Sequence, residues 1–425
     1  MPGEPLAGRE IPHPLRFSQS LPFTESDEWF ACGTPVREVQ GWKLYIPLTL
    51  LNAAELIERL VPILEKWCLH FKYIKDINLL RKLNAGMFGY TQIGKCFVIY
   101  VPEPDAAFIT ELKQTLTPYR DQCPVVPCAL PFGYDLPLYY RYGSYRGSRL
   151  KVGSAEQEDD RENARCAVPT GVDDLLAPYT APISENVEVQ SFMLRYPAYQ
   201  AIIQQGKCGV FRAINLESEA FQEVILKVGY HRGQIQPDGS DGCCFLRREL
   251  AFYRELARRG LRELAPLLVD ALDVSRKVIL VLEDIPGGSL LERKLRGTLN
   301  LEDLNRCWKI IEHLHACGVY WGDAKLANFL VTEAEDLRLV DFEGAGVVGH
   351  EPPTSYTFRI DPFPTDPCSA DRAHFLASLL FPYEAGRYSW SDRRVDLRDW
   401  VNREPQTEIE AWALNKLQFV MRELN

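Results

Sequence analysis

The spacing Asp323-Ala-Lys325-Leu-Ala-Asn328, followed by Asp341, constrains this chain more than any other feature. An Asp, a Lys two residues on and an Asn five residues on suit phosphoryl transfer. One short loop then offers a base, a phosphate contact and an oxygen ligand for magnesium. The second acid lies 13 residues after Asn328, behind an apolar strand, where a second metal-side carboxylate is needed. A lone Asp-x-x-x-x-Asn is most often a pair of solvated loop residues, so the elements in front of it decide the reading.

Those elements come in a telling order. Gly206-Lys-Cys-Gly209 reads as a turn whose backbone amides can approach phosphates with no Cβ in the way. Val224-Ile-Leu-Lys227 reads as a short apolar strand ending in Lys, and Glu249 lies on a helix of amphipathic spacing, able to pair with Lys227. Val278 to Leu282 is a strand, and the backbone of Glu283 and Ile285 after it could meet an adenine. Leu304, Trp308, Ile311 and Leu314 form one face of the helix entering the Asp323 loop, with Gly318 as its stop.

This order resembles the protein kinases. The resemblance implies a bilobal kinase-like domain that binds ATP with Mg2+ through Lys227, Asn328 and Asp341, with Gly206 and Gly209 over the phosphates. It also implies that Glu249 positions Lys227, that Asp323 accepts the substrate hydroxyl proton and that Lys325 contacts phosphate. There are departures. Gln204 stands where a first glycine would be, Trp321 and Gly322 replace His-Arg, Glu343 replaces the glycine of Asp-Phe-Gly, and no Ala-Pro-Glu follows. The stretch from Glu351 to Pro367 is short and Pro-rich, so the substrate-docking segment is reduced. Such a pattern also resembles small-molecule kinases of the aminoglycoside phosphotransferase type. For Glu343 a structural role is expected over a metal-side one.

Composition bounds the alternatives. At 425 residues, 46% hydrophobic and 25% charged, the chain can bury two or three cores. A formal net charge of -10 argues against nucleic acid as the main partner. No apolar run is long enough for a membrane span, and Met-Pro-Gly-Glu does not open like a signal peptide. A cytoplasmic location is expected, with no membrane partner. The 12 cysteines lack a repeated Cys-x-x-Cys, so reduced structural thiols are expected rather than a zinc site.

Pattern changes divide the chain into four parts. Residues 1–35 read as an extended lead-in, 36–152 as an α+β domain, 153–185 as an acidic, Pro-containing linker, and 186–425 as the kinase-like domain. In the α+β domain, residues 41–46, 70–74, 96–101 and 138–143 read as strands. Asn52-Ala-Ala-Glu55 reads as a capping box opening a helix that Pro62 should bend.

Gly41-Trp-Lys43-Leu, Phe71-Lys72-Tyr-Ile-Lys75-Asp76, Leu83-Asn84, Gly94-Lys95 and Tyr140-Arg141-Tyr142-Gly143 together resemble the lyase domain of class III and class IV lanthipeptide synthetases. That domain is similar to the bacterial phosphothreonine lyases. The fold class implied is α+β: a phosphothreonine-lyase-like domain followed by a bilobal protein-kinase-like domain. The resemblance implies phosphorylation of Ser or Thr in a precursor peptide, then β-elimination of the phosphate to a dehydroamino acid. Lys72 matches the base, and Lys43, Lys95 and Arg141 match phosphate-holding positions. Tyr45 stands where the family has a His, and Tyr90 where it has a phosphate-binding Arg. These two changes predict an impaired or altered lyase, with Tyr45 as the substitute acid. The cyclase domain of such synthetases is expected to be absent, which makes a separate cyclase a candidate partner. The other readings are a small-molecule kinase, a phosphothreonine lyase carrying a regulatory kinase-like domain, and a scaffold. The intact Lys227, Asp323, Asn328 and Asp341 set argues against the last.

Overall fold

The computed structural model of the chain describes residues 11–16, 21–159, 167–183, 186–350, 359–361, 364–380 and 394–423. Seven strands form the first sheet: β1 (Phe23–Glu25), β2 (Trp29–Cys32), β3 (Gln40–Ile46), β4 (His70–Ile74), β5 (Phe97–Val101), β6 (Leu130–Pro131) and β7 (Tyr139–Ser144). Their spatial order is β1-β2-β4-β5-β3-β7-β6, and neighbouring strands run antiparallel. Successive strand residues point to opposite faces, so one run can serve both a core and a site. Trp42, Leu44 and Ile46 of β3 enter the core with Phe71, Tyr73, Phe97 and Ile99, under helices α1 (Ala53–Lys66), α2 (Ile77–Ala85) and α3 (Ala106–Leu116). Lys43 and Tyr45 are left for the other face.

Three expectations about this part are corrected. The lead-in is not simply extended: β1 and β2 complete the sheet, and Ile11, Phe30 and Cys32 are buried in its core because they cover its open edge. Asn52 stands at the N-terminus of α1, but no capping box forms. Its Oδ1 accepts from the Thr49 amide at 2.8 Å, while Glu55 accepts from Arg59 and from the Tyr119 hydroxyl. The helix continues through Pro62. Residues 153–183 do not stand apart as a linker. β8 (Arg149–Val152) and β9 (Ala155–Glu158) form a hairpin, Leu176 is fully buried in the first core, and Asp174 accepts from the Tyr140 hydroxyl at 3.0 Å. The acidic stretch 160–166 lies outside the described residues.

After helix α4 (Val187–Arg195) comes a five-stranded antiparallel sheet of β10 (Ala198–Gln204), β11 (Cys208–Ile214), β12 (Glu223–Tyr230), β13 (Leu268–Val274) and β14 (Lys277–Glu283). Its order is β10-β11-β12-β14-β13, and helix α5 (Gly242–Arg258) packs against it. The remainder is mainly helical: α6 (Leu290–Leu295), α7 (Leu301–Ala316), α8 (Pro367–Leu380), α9 (Arg398–Val401) and α10 (Glu408–Glu423). A capping box of Asn300 and Asp303 starts α7, whose Leu304, Trp308, Ile311 and Leu314 are buried. Gly318 follows with a φ of +75°, as its placement as a stop requires. The small sheet-rich lobe and helical lobe give the bilobal kinase-like shape. Residues 351–358 and 362–363, which carry most of the Pro-rich stretch, lie outside those described.

The described cysteines are free thiols, and no helix among the described residues is long and apolar enough to cross a membrane.

Candidate active sites

The cleft between the two lobes gathers residues far apart in sequence. Lys227, on β12, lies 2.6 Å from Glu249 Oε2 of α5 and 3.0 Å from Asp341 Oδ1. Burial alone would lower the Lys227 pKa, but Asp341 and Glu249 hold it above its ordinary value. Burial would likewise raise Asp341, yet Lys227, Lys207 and Lys325 hold it well below the usual carboxylate range. Asp341 adopts a φ of +67°, a left-handed conformation that Asp tolerates better than most residues. Behind it Phe342 is fully buried against Phe252 and Tyr253 of α5, so the helix carrying Glu249 and the segment carrying Asp341 share two aromatic contacts.

The loop of Asp323 is equally constrained. Lys325 Nζ lies 2.5 Å from Asp323 Oδ2, and the Asn328 side-chain amide donates to Asp323 O at 3.0 Å and Oδ2 at 3.2 Å. The Val340 amide donates to Asn328 O at 3.0 Å, which brings the Asn328 and Asp341 segments side by side. Asp371 of α8, 1% exposed, accepts from the backbone N–H groups of Trp321 and Gly322, both at 2.6 Å, and faces His315 Nε2 at 3.1 Å. It therefore sets the backbone that presents Asp323. Nothing in the sequence marks Asp371 beyond an acid inside an apolar helical run. Glu283 ends β14 and its amide donates to Leu267 O at 2.9 Å, while Ile285 is buried just beyond it.

The glycines are placed differently from the expectation. The Gly206 amide donates to Ala85 O, at the C-terminal end of α2 in the first domain, at 3.3 Å. A Cβ on Gly206 would lie 1.6 Å from Asn84 O, so this glycine is required by a backbone contact with the first domain and its N–H is not offered to a phosphate. At Gly209, on β11, the space of a Cβ is taken by the Phe211 ring and the Tyr230 hydroxyl. Between them Lys207 is buried and ion-paired with Glu343, a contact the sequence reading did not foresee.

The second site lies on the outer face of the first sheet. Lys43 pairs in register with Tyr100 and Arg141, and Val98 with both Tyr45 and Lys72. Period-two alternation therefore puts these side chains on one face, where with Trp29, Gln92 and Lys95 they line a cavity of about 110 Å³. All four predicted cations and Tyr45 are brought together there. Lys72 Nζ sits 4.2 Å from the centre of the Trp29 ring, and Lys95 Nζ 5.0 Å from that of Tyr45. Lys43 Nζ donates to Ser144 O at 2.5 Å. Tyr90 does not face this cavity. It lines a larger one, about 360 Å³, between the first domain and the small lobe, and Gln92 occupies the rim of the cation pocket in its place. The short turn Tyr90–Gln92 directs the two side chains apart, which spacing could not reveal. Arg141 is ion-paired with Asp159, fully buried, whose Oδ2 also accepts from the Ser144 amide at 2.9 Å. Burial would raise the Asp159 carboxyl, but Arg141 outweighs it and holds it below its ordinary value. In the sequence Asp159 is hidden within an acidic run.

Comparison with known proteins covers both parts of the chain. Residues 15–172 match the family described as RamC, N-terminal domain. The probable SapB synthase of Streptomyces coelicolor is 27% identical over 361 residues, which cover 76% of this chain and 37% of that protein. Through these two matches the chain is similar to lanthipeptide synthetases of class III/IV. It spans little more than a third of the length of that synthase. The human hormonally up-regulated neu tumor-associated kinase is 33% identical over 97 residues, 21% of this chain and 13% of its own. The putative CBL-interacting protein kinase 13 of Oryza sativa subsp. japonica is 31% identical over 101 residues, 23% of this chain and 19% of its own. The RamC match ends at 172, beyond the expected boundary at 152.

Proposed function

We propose that this synthetase-like chain uses ATP and Mg2+ to phosphorylate Ser and Thr side chains of a precursor peptide, and that its first sheet takes the phosphorylated side chain as substrate for elimination. The observation that carries this reading is the simultaneous contact of Lys227 with Glu249 and Asp341, beside the Asp323, Lys325 and Asn328 loop. Among the described residues no group of three or more His, Cys, Asp or Glu forms a metal cage. Magnesium does not need one, since it binds through one or two carboxylates plus substrate phosphates and waters. Asp341 and the side-chain oxygen of Asn328 are hard donors that fit it. When bound, the ion neutralises charge on the nucleotide phosphates.

In the cleft, Asp323 accepts the proton of the incoming hydroxyl, and Lys325, tied to Asp323, reaches the transferred phosphate. Glu249 holds Lys227 for the nucleotide. In the first domain, neutral Lys72 removes the Cα proton of the phosphorylated residue. That electron pair forms the Cα–Cβ double bond as the Cβ–O bond breaks, and phosphate leaves with a proton from Tyr45 to give dehydroalanine or dehydrobutyrine. Lys43 and Lys95 hold the leaving phosphate. Lys72 rests over the face of the Trp29 ring, which fixes where its amine stands.

A second reading has an active kinase beside a first domain that binds phosphopeptide without eliminating it. The ion pairing of Arg141 with Asp159 and the lodging of Tyr45 against Lys95 favour it. Mass spectrometry of a Ser/Thr-rich precursor peptide after incubation with the protein, ATP and Mg2+ separates the readings. Net loss of water supports both activities, and phosphate gain alone supports the second reading. An unchanged peptide with phosphorylation of an aminoglycoside or amino alcohol would refute the peptide kinase.

A further inference from the structure

Lys207 is the third lysine of the nucleotide cleft and the one to which the chemistry above assigns nothing. It occupies the turn between β10 and β11, is 8% exposed, and pairs with Glu343, two residues after Asp341. Its backbone is held from two sides. Gly206 before it donates to Ala85 O of the first domain, and Lys207 O accepts from the Tyr230 amide at 3.0 Å. The ammonium also lies 5.9 Å from the Phe245 ring centre. The Lys207 charge is among those that hold the Asp341 carboxyl below its ordinary range.

Charge balance gives this arrangement a meaning. Among the described residues the ion pairs of the cleft join three lysines, 207, 227 and 325, to four carboxylates, Glu249, Asp323, Asp341 and Glu343. A triphosphate entering such a site brings far more negative charge than one magnesium ion cancels. A lysine that turns from a carboxylate to a phosphate gives the triphosphate a charge-assisted contact, at the cost of the carboxylate it leaves, so the carboxylate competes with the phosphates for it. Lys227 is committed to two carboxylates at once, and Lys325 to the base Asp323. Lys207 differs in that Glu343 has no assigned chemical duty. Its main chain is anchored, and only the side chain has to move.

We propose that Lys207 is a phosphate-binding residue of the nucleotide site, that Glu343 is its counterion when no nucleotide is bound, and that ATP displaces Glu343 from it. This deepens the kinase reading of the same cleft and rests on it. The first domain takes part, because the Gly206–Ala85 contact fixes where Lys207 stands. Glu343 is then a competitor of the nucleotide phosphates, so removing its charge strengthens nucleotide binding.

The test is calorimetric titration of the full chain, as wild type, Lys207→Met, Glu343→Gln and the double variant, with adenosine and with ATP in the presence of Mg2+. The expected result is that Lys207→Met weakens ATP binding by about tenfold or more, the worth of one charge-assisted contact, and leaves adenosine unchanged. Glu343→Gln should tighten ATP several-fold, and that gain should vanish in the double variant. If Glu343→Gln weakens ATP binding in both backgrounds, Glu343 serves the metal and the proposal is overturned. If ATP and adenosine weaken together in Lys207→Met, with a lower melting temperature, the pair is a strut between the lobes and the proposal is likewise overturned. Wild-type chain that binds neither ligand overturns the kinase reading itself, whereas normal wild-type binding with an unaltered Lys207→Met overturns the proposal alone.

Discussion

Replacing Asp371 by Asn is the sharpest test of how the Asp323 loop is held. The carboxylate is 1% exposed and takes two backbone N–H bonds at 2.6 Å, one on each oxygen, while facing His315 at 3.1 Å. Asn keeps one acceptor and turns an NH2 group towards the other backbone donor. One charge-assisted bond is lost and one buried N–H goes unmet, a combined loss of about 3 kcal/mol. For a lobe of this size that corresponds to a melting temperature lower by roughly 6–12 °C. The loop of Trp321 and Gly322 must also shift, and a displacement of about 1 Å at the base costs on the order of 100-fold in turnover. Differential scanning fluorimetry and a phosphopeptide assay measure the two effects, and ATP titration should show nucleotide binding retained. A variant with unchanged melting and unchanged phosphorylation would refute the argument that Asp371 sets the loop.

Further outcomes are expected. Asp323→Asn should abolish phosphoryl transfer while ATP affinity, read by titration, stays close to wild type. Lys72→Ala should slow elimination from a pre-phosphorylated peptide by about 100-fold or more, the worth of a general base, without changing phosphorylation, whereas Tyr45→His should raise the dehydrated product. Chelation of magnesium with EDTA should stop phosphorylation yet leave elimination from pre-phosphorylated peptide intact, and equal loss of both would show that the first pocket also needs a metal. The folded-state pKa of Asp159 lies below its unfolded value, so its pairing with Arg141 stabilises above that unfolded value and is lost as pH falls through the folded one. The melting difference between wild type and Asp159→Asn should therefore be full at neutral pH and shrink below about pH 4, the reference carboxylate range. A difference that does not change with pH would contradict the pairing.

Much of the kinase-like cleft was legible from local pattern. Lys227, Glu249, Asp323, Asn328 and Asp341 each sit on an element whose type the sequence predicts, and their order along the chain restricts how those elements can be arranged. The cation pocket was also legible, because Lys43, Tyr45 and Lys72 alternate with core residues at period two along β3 and β4. What escaped were residues whose meaning is a partner far away. Asp371 serves a loop about 50 residues before it, Asp159 serves Arg141 across a hairpin, and Gly206 is glycine because Asn84 of another domain passes it. Tyr90 was misplaced for a related reason, since a short turn redirects side chains in ways that spacing along the chain does not record.

By itself, then, the sequence determined most of the elements and which side chains alternate onto one face, because periodicity and turn residues act over a few neighbours. Beyond the Lys227–Glu249 pair, tertiary structure alone decided which carboxylate each buried cation answers to. Long-range electrostatics in a buried cleft depends on distances of a few ångströms, and those exist only once Lys207 and Glu343, or Arg141 and Asp159, have been folded into contact.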